Sequence, residues 1–108
     1  MPSKGSAVEK LSGYHRRHLK GLAHHLDAII QVGTKGVTDN LVAAIDDALE
    51  RHELIKIRFD EFKDEKEELS QKISERTSSE IIGSIGNVVI LFRYQADGGK
   101  RNIELPSK

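Results

Sequence analysis

A chain of 108 residues with 37% hydrophobic content has material for one domain, one modest core and at most one site. The absence of cysteine excludes disulfides, thiolate metal sites and cysteine nucleophiles. The formal net charge of zero hides an asymmetry: residues 1–36 carry six Lys/Arg against two acids, a balance of +4, together with four of the five histidines. Residues 37–80 carry seven against thirteen, a balance of −6, and residues 81–108 carry four against two, +2. Such a chain is read as bipolar, with a basic surface built from its two ends and an acidic one from its middle. No run approaches the roughly 18 apolar residues of a membrane span, and the start Met1-Pro2-Ser3-Lys4 opens no apolar stretch of signal-peptide kind. A soluble, cytoplasmic monomer with no membrane partner is therefore expected.

Residues 1–10 are polar and aperiodic and read as a flexible basic tail, with an ordered domain over 11–108. Ser12 is placed to cap a helix from Gly13 to about His24, where Leu19, Leu22, Ala23 and Leu26 recur at helical spacing. The β-branched run Ala28-Ile29-Ile30-Gln31-Val32 reads as a strand, and Gly33-Thr34-Lys35-Gly36 as the loop after it. Thr38 caps a second helix to about His52, with Leu41, Ala44, Ile45, Ala48 and Leu49 as its apolar face. Leu54 to Phe59 alternates, sending Ile55, Ile57 and Phe59 to the core and Lys56 and Arg58 the other way, where their stems cover a helix. The charged run Asp64 to Thr77 reads as a third, largely exposed helix that covers the sheet with Phe62, Leu69 and Ile73. Glu80–Ile85 and Val88–Arg93, joined by Gly86-Asn87, form an antiparallel hairpin. A mobile loop at Asp97-Gly98-Gly99-Lys100 and a short extended end at Ile103 and Leu105 complete the chain. The α-β-α-β-α-β-β order defines an α/β fold: a single compact domain with a mixed four-stranded sheet packed with three helices.

Chemistry concentrates at Gly33, Thr34, Lys35 and Gly36. Two glycines let main-chain N–H groups approach a ligand without interference from Cβ, Lys35 adds a point charge, and the next helix aims its positive dipole end at the same place. A GxxG turn also occurs for tight strand-to-helix geometry alone, so its neighbourhood decides. That neighbourhood is cationic: Arg16, Arg17 and Lys20 lie on one or two turns of the first helix and His24 at its end. Main-chain donors beside clustered cations suit a nucleic-acid backbone, and the histidines add positive charge there as pH falls. A metal site is rejected, because no acid or thiol completes the set of His15, His18, His24 and His25, and Arg16 and Arg17 repel a cation. Nothing arranges a nucleophile, base and orienting group, and the loop lacks the Lys-Ser/Thr of a nucleotide phosphate loop; neither catalysis, a cofactor nor a small-molecule substrate is expected. Aromatic platforms are few, with Phe59 read as core and only Tyr14 or Tyr94 as exposed, which favours recognition of backbone and shape over reading of bases.

The segments Leu19-Lys20-Gly21-Leu22-Ala23-His24, Val32-Gly33-Thr34-Lys35-Gly36-Val37-Thr38 and Ala48-Leu49-Glu50-Arg51-His52-Glu53-Leu54-Ile55-Lys56-Ile57 resemble the small bacterial YhbY proteins. These are the stand-alone form of the CRM (chloroplast RNA splicing and ribosome maturation) domain. The resemblance continues through Ile85-Gly86, Leu91-Phe92-Arg93 and Ile103-Glu104-Leu105-Pro106. It departs at Ala28, where the family commonly has proline, at Phe92, where tyrosine is frequent, and at Tyr94, where proline often follows the arginine. What it implies is a fold similar to the C-terminal domain of bacterial translation initiation factor three, and an RNA-binding protein that associates with precursors of the large ribosomal subunit, through rRNA, and assists assembly. It also implies a glycine loop like the one with which KH domains clamp a nucleic-acid backbone. Gly33, Thr34, Lys35 and Gly36 match that loop, and Lys20 and His24 match the basic first-helix segment. The competing reading is a protein-interaction module that uses the acidic third helix, its glycine loop purely structural.

Overall fold

A computed structural model describes residues 13–93. Ser12, Tyr94, the tail over 1–10 and the expected C-terminal loop and extended end lie outside the described residues. Within them run α1 (Gly13–Ala23), β1 (Ile30–Val32), α2 (Asp39–His52), β2 (Leu54–Phe59), a 3-10 turn (Lys63–Glu65), α3 (Lys66–Thr77), β3 (Glu80–Ile85) and β4 (Val88–Phe92). The sheet order is β1-β2-β4-β3. β1 pairs parallel to β2, with Val32 opposite Phe59, while β4 is antiparallel to both β2 and β3. The crossovers through α2 and α3 thus lay down three parallel strands, and the Gly86-Asn87 turn returns β4 into the gap between β2 and β3.

Alternation along β2 and β4 gives the sheet two apolar faces. On one, Ile55, Ile57, Phe59, Val89 and Leu91 meet Ile45, Ala48 and Leu49 of α2 and Ile73 of α3. On the other, Leu54, Ile90, Phe92 and Ile82 meet Leu19 and Ala23 of α1. The result is three layers, α1, sheet, and α2 with α3, each fully buried Leu or Ile contributing about 2 kcal/mol. The helix α2 starts as expected: Thr38 Oγ1 accepts from the Leu41 N–H at 3.0 Å.

Several side chains depart from the sequence pattern. Leu22 and Leu26 are exposed: Leu26 falls beyond the end of α1 at Ala23, and Leu22 sits within α1 at the margin of the stripe that buries Leu19 and Ala23. Val42 rather than Ala44 is buried on α2, since the larger aliphatic group turns inward where either fits the stripe. On α3, Ser70 and Thr77 flank Ile73 in the interior, and Thr77 donates its hydroxyl to the Ile73 carbonyl at 2.8 Å, which satisfies its polarity inside the helix. Phe62 does not cover the sheet: its backbone is left-handed (φ 59°) and the residue is 41% exposed.

Arg93 ties the layers together just past β4. Its guanidinium donates to Asp46 Oδ1 at 2.6 Å, the Thr77 carbonyl at 2.8 Å and the Asp46 carbonyl at 3.1 Å, and reaches Glu50 at 3.3 Å. Its side chain is only 17% exposed, so one residue fastens α2 to the C-terminal end of α3.

Candidate nucleic-acid interface

The glycine loop is built from the end of β1 outward. The Val32 carbonyl accepts from the Asp60 and Glu61 amides at 3.0 and 3.2 Å, fixing the strand end against the chain that leaves β2. The Gly36 N–H then closes a turn on the Gly33 carbonyl at 3.0 Å. Thr34 and Lys35 keep negative φ, as in a type I turn, and Gly36 takes φ 72°. Negative φ followed by a left-handed residue is the alternation that points successive N–H groups to one side, and the amides of Thr34 and Lys35 have no protein partner among the described residues. Lys35 is exposed and forms no ion pair among the described residues. Between this turn and Asn40 and Leu41, in the first turn of α2, lies an open groove of about 460 Å³ that Gln31 also lines.

The two glycines differ in what the fold demands of them. Gly36 is left-handed, and a Cβ there would lie 3.5 Å from Phe62 Cε2. Gly33 lies outside the left-handed region, and a Cβ there would meet nothing within 4 Å. Folding therefore explains glycine at 36 and leaves it unexplained at 33.

The first-helix residues fall into two groups. Arg16 is engaged by β3, donating to the Ile81 carbonyl at 2.9 Å and to Glu80 Oε1 at 3.4 Å. Arg17 and Lys20 are exposed and form no ion pair among the described residues. The Lys20 stem crosses Gly83 so closely that a Cβ on that glycine would lie 2.8 Å from Lys20 Cε. His24 follows the last residue of α1; its amide donates to the Lys20 carbonyl at 3.0 Å and its ring meets His25 edge-on at 5.7 Å between centroids.

The structure does not gather the loop and the helix cations into one cluster. The loop extends from β1 at one edge of the sheet, whereas Lys20 lies over β3 at the other, three strand spacings or roughly 14 Å across. Between them, on the face that carries α1, the register aligns Gln31, Arg58, Val88 and Ile85 in a row across the four strands. Arg58 donates to Asp60 at 2.9 Å. With its amide oriented to suit both neighbours, Gln31 accepts from Arg58 at 2.7 Å and donates to Asp60 at 3.3 Å. The outward parity of Arg58 predicts a stem that covers a helix, but the residue is exposed. Its outward parity on β2 was visible, and which helix covers that part of the sheet was not. Lys56 does reach the α1 side, donating to the Leu26 carbonyl at 2.8 Å.

Charge follows the layers. α1 carries three Lys/Arg and no acid, whereas α2 and α3 together carry four Lys/Arg against seven acids, a balance of −3. Among the described residues no group of three or more His, Asp or Glu is arranged to hold a metal ion, and no helix is long and apolar enough to cross a membrane.

This succession of elements, with a glycine turn between β1 and a capped helix, is that of a known module. Residues 11–93 match the family model of the CRS1/YhbY (CRM) domain, and the chain belongs to that family. It is 35% identical over 97 residues to "Probable RNA-binding protein YqeI" of Bacillus subtilis (strain 168), covering 89% of this chain and 99% of that one. It is 33% identical over 99 residues to an "RNA-binding protein" of Haemophilus influenzae, covering 91% and 97% respectively. The solution structure of SAV1595 from Staphylococcus aureus, "a putative RNA binding protein", superposes with a TM-score of 0.74 at 39% identity, over 90% of this chain and all of that one.

Proposed function

We propose that this chain is a non-enzymatic RNA-binding protein that associates, as a cytoplasmic monomer, with rRNA in precursors of the large ribosomal subunit and assists their assembly. The observation that carries the reading is the Gly33–Gly36 turn. Among the described residues its Thr34 and Lys35 amides have no protein partner and Lys35 forms no ion pair, and nothing in the fold requires glycine at 33. Main-chain donors and an unpaired cation at a helix N-terminus fit a phosphate. Arg17, Lys20 and His24 supply a second point of contact across the sheet, with Gln31 and Arg58 between, so that RNA lies along the α1 face while the acidic α2–α3 layer faces away. Arg16 holds the helix in place and contributes to the surface field. The family and the names of the relatives support RNA as the partner.

Crosslinking the protein to RNA in cells and mapping the sites tests the assignment. Crosslinks concentrated in large-subunit precursor rRNA, through peptides that contain the loop, are expected. Crosslinks scattered over messenger RNA, or their absence, overturn it. At the bench, Lys35→Glu should weaken RNA binding at moderate salt while changing stability by less than about 0.5 kcal/mol.

A further inference from the structure

We propose that Phe62 is a stacking platform for an unpaired base whose phosphate is held by the Gly33–Gly36 turn, an inference that rests on the RNA-binding reading of that turn. Phe62 lies against Gly36, its ring within van der Waals reach of where a Cβ there would stand, and so borders the loop directly. It is 41% exposed, while Phe59, three residues earlier, is fully buried. The ring is held outward by a fixed bracket. The Asp60 and Glu61 amides are anchored on the Val32 carbonyl, the Phe62 backbone is left-handed, and its carbonyl accepts from the Glu65 N–H at 3.0 Å. A left-handed conformation at a bulky residue persists where the surroundings impose it.

The charges around the ring select what lies on it. Asp60 and Glu61 precede it and Asp64 and Glu65 follow, all exposed, against one adjacent exposed cation, Lys63, and Arg58, which pairs with Asp60; the balance beside the ring is negative, so a phosphate is disfavoured there and drawn to the turn and Lys35 instead. A base is uncharged, and its π face suits the ring. Backbone on the turn and base on Phe62 place one nucleotide across a boundary between cationic and aromatic surface. A base paired within a continuous duplex is stacked on both faces and does not reach the ring, so the site takes a nucleotide from a loop, bulge or single strand. Stacking on phenylalanine tolerates any base and adds affinity without sequence reading.

The chain contains no tryptophan, so Phe62→Trp installs a single indole reporter at the site. Adding a short oligoadenylate should quench its fluorescence, and an abasic ribose-phosphate strand of equal length should not. Phe62→Leu, which keeps apolar cover over Gly36 but has no π face, should lose about 5- to 150-fold in affinity for oligoadenylate and stay within about twofold for the abasic strand. Equal losses on both strands would make the ring a prop for the loop, and no loss on either would leave it idle; each overturns the proposal. Lys35→Glu separates the two levels. If it weakens binding of both strands while Phe62→Leu weakens neither, stacking fails and the loop reading stands. If Lys35→Glu changes neither, both fail. Should Phe62→Leu not fold, the fluorescence contrast of Phe62→Trp between the two strands decides alone.

Discussion

Replacing the two loop glycines one at a time separates what the turn needs to fold from what it needs to bind. Gly36→Ala puts an L side chain at φ 72°, which costs about 1–2 kcal/mol. The new Cβ sits at ordinary van der Waals distance from the Phe62 ring, 3.5 and 3.7 Å from its nearest atoms, so no steric penalty is added. Alanine also restricts the unfolded chain, which returns about 0.4–1 kcal/mol. The net is a destabilisation of about 1 kcal/mol, a fall in melting temperature of about 4–8 °C for a domain of this size. Gly33→Ala carries no left-handed strain and meets no neighbour within 4 Å; it should leave stability unchanged or raise it by up to about 1 kcal/mol. On the proposed interface, its methyl would nevertheless stand where the RNA backbone approaches the turn. Thermal unfolding followed by circular dichroism, paired with anisotropy titrations against a structured RNA, should find Gly33→Ala as stable as the parent and clearly weaker in binding. If Gly33→Ala binds RNA as tightly as the parent, the turn is architecture and the assignment of the interface to it is wrong.

Arg17→Ala combined with Lys20→Ala should flatten the salt dependence of RNA binding, each lost phosphate contact lowering the log–log slope by about 0.9 for a duplex; Arg16→Ala, whose partners lie in β3, should instead lower the melting temperature with less change in slope. Arg93→Ala should destabilise the domain by about 1–2 kcal/mol, through loss of the packing of a largely buried guanidinium and of its part-buried bond to the Thr77 carbonyl, with less from its exposed carboxylate partners, and Arg93→Lys should not rescue it, because an ammonium cannot span Asp46 and Thr77 as a planar fork does; equal unfolding midpoints for parent and lysine variant would refute the clamp. Glu67→Gln with Glu68→Gln should leave the fold intact and RNA affinity equal or slightly higher, since α3 lies on the layer opposite α1. A several-fold loss of binding by a folded variant would bring α3 into the interface and favour a protein-docking role.

Where one periodicity governs a segment, the sequence was legible. The parity of β2, the Thr38 cap and the Gly86-Asn87 turn each follow from contacts between near neighbours, and each is found in the structure. Gly33–Gly36 was legible as a loop, but not the difference between its glycines, which depends on a φ value and on where Phe62 sits. Residues whose role is set by distant partners were misread or missed. Phe62 looked like a lid for the sheet because it is apolar and precedes a helix, yet the anchoring of Asp60 and Glu61 on Val32 turns it toward the loop. Arg16 looked equivalent to Arg17 and Lys20, and only the approach of β3 to α1 separates it from them. The Gln31–Arg58 row needs the strand order, which local pattern does not encode.

The place of β4 has a consequence for how the molecule comes into being. β2 and β3 are not neighbours; each pairs with β4, the final strand of the described chain. Until Val88–Phe92 has been synthesised, β3 has no strand to pair with, and β2 has a partner only in the three residues of β1. A chain cut short before Val88 therefore ends with two unpaired strand edges facing a vacant slot, an arrangement open to insertion of a strand from another molecule. β4 is the keystone of the described sheet, and its pairings with β2 span 30 to 38 residues of chain. Folding then waits on a late, non-local closure, the kind that proceeds slowly, and a nascent copy stays vulnerable to strand exchange until that keystone arrives.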